Sequence, residues 1–137
     1  MATHLNRRSL NVLLMFSQIL AAQCIAQRPD RRIYSDVRYI EEAGDLLGSE
    51  LELELDFTQS RAQGVLRFYE GGCGTPVPVS GTVTRNRIRL FGASDTYGQV
   101  EIVGTIGNRD LYATLLPKKS AKSSHKRRLK RIATAHC

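Results

Sequence analysis

Residues 50–57 read ELELELDF, an unbroken alternation of acidic and apolar side chains. A period of two belongs to a strand. It puts Leu51, Leu53, Leu55 and Phe57 on one side and Glu50, Glu52, Glu54 and Asp56 on the other. In a helix the same leucines would be spread around the circumference. The segment therefore predicts a strand with one buried face and one wet face.

The pattern recurs along the chain. Residues 64–70 (GVLRFYE), 77–84 (VPVSGTVT), 87–91, 98–106 (GQVEIVGTI) and 109–115 each alternate. The inward rows are Val77, Val79 and Val83, then Ile88 and Leu90, then Val100, Ile102 and Ile106, then Leu111, Ala113 and Leu115. Turn-forming stretches at 71–76, 92–97 and Gly107-Asn108 separate them, which signals hairpins. Residues 37–40 add a short strand before the Gly44-Asp45 turn. Together they predict an all-β fold, an antiparallel meander of six to seven strands that forms a curled sheet or small barrel. Gly81-Thr82-Val83 and Gly104-Thr105-Ile106 hold the same place in two hairpins. Glycine inside a strand marks a bend or a close backbone approach, as at a barrel corner. The inward side chains are mostly short and aliphatic, so a closed barrel would be filled by its own residues.

Charge divides the chain into three parts. Residues 27–117 hold ten arginines and all 13 acids, whereas 118–137 hold eight basic residues, every lysine included, and no acid. The net charge of +7 thus belongs to the carboxyl end. This composition break after Pro117 predicts a domain over 27–117 followed by a basic tail over 118–137, either disordered or a short helix from His125 to about Thr134. At the other end, Arg7-Arg8 precede an apolar run over 10–20, and small residues follow at 21–26. That is the layout of a secretory signal peptide over 1–26, and the run is too short to span a bilayer. The expected location is secreted or periplasmic. Removal of the signal would take Cys24 away and leave Cys73 and Cys137, which either form one disulfide or stand as unpaired thiols.

Catalytic chemistry has little to build on. No histidine occurs between Gln27 and Pro117, so a Ser/His/Asp or Cys/His system would have to recruit the tail. Glu41, Glu42 and Asp45 are the weak candidates for a hydrolase. The alternating acids of 50–56 are expected to be solvated or paired across strands with Arg67, Arg87 and Arg89. No phosphate-cradling, zinc or dinucleotide motif occurs, so no catalytic residue, metal or cofactor is assigned.

What remains is binding. The leading expectation is a non-enzymatic secreted or periplasmic accessory module for a protein or cell-envelope component, with Thr75, Asp95 and Tyr97 presented on loops 71–76 and 92–97. The alternative is a polyanion or anionic-membrane binder acting through Lys126, Arg127, Arg128, Lys130 and Arg131. No aromatic residue interleaves with those charges in the sequence, so the tail by itself offers no stacking surface for bases.

Overall fold

The computed structural model describes residues 28–117 and 125–137. They form β1 (Asp30–Ser35), β2 (Arg38–Ile40), β3 (Asp45–Asp56), β4 (Arg61–Glu70), β5 (Pro76–Thr84), β6 (Arg87–Ser94), β7 (Gly98–Ile106), β8 (Asp110–Pro117) and β9 (His125–Ile132). From β3 to β9 each strand pairs antiparallel with the next. β1 pairs with both β3 and β9 and so closes the circle. The result is an eight-stranded antiparallel barrel with β2 as a short ninth strand, laid against the start of β3. The signal segment expected at 1–26 lies outside the described residues.

The alternation sets which side chains fill the barrel. Leu51, Leu53 and Leu55 of β3 are almost wholly buried, and so are all the inward residues expected on β5, β6, β7 and β8. Leu66 and Ala62 of β4, Leu129 of β9 and Tyr34 of β1 complete one continuous core. Eight strands enclose about the width that such side chains fill. At one mouth Phe68 and Tyr97 pack against this core as a lid, with ring centres 4.6 Å apart. The outer walls carry charge at mid-strand, Glu52 and Glu54 on β3 and Lys126, Arg128 and Lys130 on β9. A lipid-facing band of apolar residues is therefore not formed there.

Two local devices shape the barrel. The Asp36 carboxylate accepts a hydrogen bond from Ser49 N (2.6 Å), and Asp36 N donates to Ser49 O (3.0 Å). This contact ends the pairing of β1 with β3, and β2 takes up the remaining length of β3. Gly81 and Gly104 are the close approaches that their placement suggests. A Cβ at Gly81 would run into the carbonyl of Arg89, and one at Gly104 would sit 2.6 Å from the carbonyl of Tyr112.

Several expectations need correction. Residues 125–132 are neither helix nor disordered tail but strand β9, hydrogen-bonded to β8 on one side and β1 on the other. The composition break after Pro117 therefore does not end the barrel. In a helix Leu129 and Ile132, three apart, would share one face. In the strand they point to opposite sides, and only Leu129 enters the core. Two open strand edges, with their unpaired backbone groups, outweigh a weak local preference. β6 runs on to Ser94, which shortens the loop expected at 92–97. Phe57 lies past the end of β3, 44% exposed at the rim with the Arg32 guanidinium 5.9 Å above its ring. Glu50 points outward as the alternation requires, yet it is fully buried.

Candidate functional site

Because β9 is a strand, its basic residues are distributed in a fixed way. Lys126, Arg128 and Lys130 face outward, while Arg127 and Arg131 share the inner side with Leu129 near the two mouths. Arg127 reaches Ser49 Oγ at 2.6 Å and the Asp36 carboxylate at 3.5 Å, so it is committed to one rim. At the other end of β9 an open cleft of about 1040 Å³ is lined by Arg31, Arg32, Arg109, Arg128, Lys130 and Arg131, with Asp110 its single acid. Sequence reasoning found three of these cations in the tail. The register adds three more, from β1 and the β7–β8 turn.

Internal pairing occupies some of the cations. Arg31 pairs with Glu52, and Arg32 with Asp30 at 2.6 Å. Arg128 grips Asp110 with two bonds of 3.0 Å each. That hydrogen-bonded guanidinium holds the Asp110 carboxyl below its ordinary range, and the pairing raises Arg128 in turn. Arg109, Lys130 and Arg131 have no carboxylate within ion-pair distance among the described residues. The backbone of β9 is fixed beside them by a 2.6 Å bond from Arg131 N to Arg109 O. The cleft therefore presents uncompensated positive charge on a rigid frame, which is the electrostatic footprint of an anion site.

Tyr112 stands directly across from Arg128, whose guanidinium lies 5.6 Å from the ring centre. The tail lacks aromatics in its sequence, but the sheet supplies one from the neighbouring strand.

The loop candidates fare differently. Thr75 is exposed in the β4–β5 loop and Asp95 in the β6–β7 turn, both at the mouth opposite the cleft. Tyr97 is a lid residue packed on Phe68, and burial pushes its hydroxyl up, with a smaller contribution from Glu70. Glu41 and Glu42 are exposed on the β2–β3 turn, and Asp45 opens β3.

One cluster escaped the sequence. Residues 133–137 leave β9, cross β1 on the outside and reach β3 and β4, where a disulfide joins Cys137 to Cys73. Beneath this strap Glu50 accepts hydrogen bonds from His136 Nδ1 (2.6 Å), His136 N (3.0 Å) and the Tyr69 hydroxyl (3.2 Å). Burial, then the Glu50 charge, raises the Tyr69 hydroxyl. Arg67 lies 3.8 Å from Glu50 and 3.7 Å from Glu52, and its buried Nη1 has no hydrogen-bond partner. A carboxylate orienting an imidazole resembles half of a catalytic relay, but the neighbouring cysteines are spent in the disulfide. The arrangement acts as a latch. The available signal was the cysteine pair itself, since joining 137 to 73 brings His136 close to the β4–β5 loop.

Among the described residues, no group of three or more His, Cys, Asp or Glu could hold a metal ion. No protein-family model, curated protein or solved structure matches the chain.

Proposed function

We propose that this protein is an exported, non-enzymatic binding module that takes a polyanion in the cleft beside β9. The observation that carries this reading is the convergence of Arg31, Arg32, Arg109, Arg128, Lys130 and Arg131 around one cleft with a single acid. Export is supported by the signal-like layout of 1–26 and by the Cys73–Cys137 disulfide, which persists in oxidising compartments.

Removing the carboxyl-terminal region is a poor test, because it deletes a strand of the barrel. The informative variant is Arg109→Gln/Lys130→Gln/Arg131→Gln, measured with inorganic polyphosphate over a salt series. Wild type binds with affinity that falls steeply as salt rises, and the variant loses about two units of the log–log slope. Binding that is absent at low salt, or independent of salt, overturns the proposal.

A second reading rests on the opposite mouth, where the disulfide tethers the loop carrying exposed Thr75. A protein partner there would bind independently of salt, survive the triple variant and be lost with Thr75→Arg.

A further inference from the structure

The outer wall next to the cleft carries a diagonal stripe of exposed apolar and guanidinium groups. Tyr112 on β8, Val103 on β7 and Phe91 on β6 are 54%, 44% and 50% exposed. Arg128 stands across from Tyr112, Val103 stands across from Arg89, and the Arg89 guanidinium lies 5.2 Å from the centre of the Phe91 ring while it pairs at 3.0 Å with Glu101, which stands across from Phe91. The order along the stripe is guanidinium, ring, aliphatic, guanidinium, ring. Arg128 also lines the basic cleft, so stripe and cleft are continuous.

Resting on the polyanion reading of that cleft, we infer that the ligand is a single-stranded nucleic acid, with phosphates in the cleft and bases stacked along the stripe. Three features support this choice. Exposed rings bracketed by guanidinium groups are the surface that unpaired bases use, because every base has a π-face and stacking needs no sequence match. Tyr112 and Phe91 are two strands and four residues apart, about 16 Å along the sheet, which an extended strand spans in two or three nucleotides. A duplex hides its base faces, and a convex barrel wall offers no protruding element for its grooves. Polymers without rings would leave Phe91 and Tyr112 unused.

The test compares oligo-dT of 12 nucleotides, a duplex of equal charge and polyphosphate of equal length at one low salt concentration. Oligo-dT is expected to bind tightest and to quench tyrosine emission, which is undisturbed by tryptophan because the chain has none. Tyr112→Ala and Phe91→Ala each weaken oligo-dT roughly 5- to 150-fold, and polyphosphate binding stays within about twofold. Tyr112→Phe, which keeps the ring, restores oligo-dT affinity. Equal binding of oligo-dT and duplex overturns the inference, and so does an equal loss of oligo-dT and polyphosphate in the alanine variants. Both outcomes leave the cleft proposal standing. Failure of all three ligands to bind overturns the cleft proposal and the inference together.

Discussion

Glu50 shows how little a side chain's direction says about its surroundings. It faces away from the core, as the alternation demands, and is nonetheless sealed by a strap from 86 residues along the chain. A buried carboxylate survives only if its lone pairs are used, and His136 and Tyr69 use them. Glu50→Ala removes the acceptor for both and leaves the Arg67 guanidinium with only Glu52 of its two counter-charges. The expected loss is about 3 kcal/mol in urea unfolding. Glu54→Ala on the same face changes stability by less than about 0.5 kcal/mol. Asp110 supplies a pH signature. Its carboxyl is held below the ordinary 3.8 by Arg128, so its contribution is present above that value and fades as pH falls through the lowered one. Below about pH 4 the melting temperature of Asp110→Asn falls less steeply than that of wild type. A titration of carboxyl carbon shifts reads the same displacement directly.

At the level of the strand, β9 is the part of the fold the sequence concealed. Strands β3 to β8 were legible because each has two or more inward apolar residues at period two, bounded by turn formers. β9 has one inward apolar residue, Leu129, between two arginines, and β1 brings Arg32 and Tyr34 inward beside Asp30. Neither segment has a hydrophobic row to detect, and both are held by the edges they join. Leu129→Ala should cost about 2–5 kcal/mol, as expected for a core leucine, whereas Lys126→Ala should be near neutral. A helical or disordered tail would make the two substitutions equally silent in a thermal melt. The site was legible only as composition. The basic residues were visible, but the contributions of Arg31, Arg32, Arg109 and Tyr112 depend on strand register. Gly81→Ala tests the curvature of the barrel, because its methyl meets the backbone of β6 and no side chain can swing away. A loss above about 1 kcal/mol is expected from chemical denaturation.

For the whole molecule, closure and the disulfide act together. The bridge spans 64 residues and ties the strap over Glu50 to the β4–β5 loop. Its removal by Cys137→Ser should lower stability by about 4 kcal/mol, and scanning calorimetry with and without reductant gives the figure for wild type. Closure itself depends on β1, which lies between β3, its near neighbour in sequence, and β9, the strand translated after the other eight. A nascent chain that has reached Pro117 still lacks the piece that joins its two open edges. At ribosomal speeds the missing stretch takes roughly 1–3 s to appear. During that interval the incomplete barrel is a natural client for a holding chaperone, and a stalled chain ending before His125 would be cut by protease where the finished one resists.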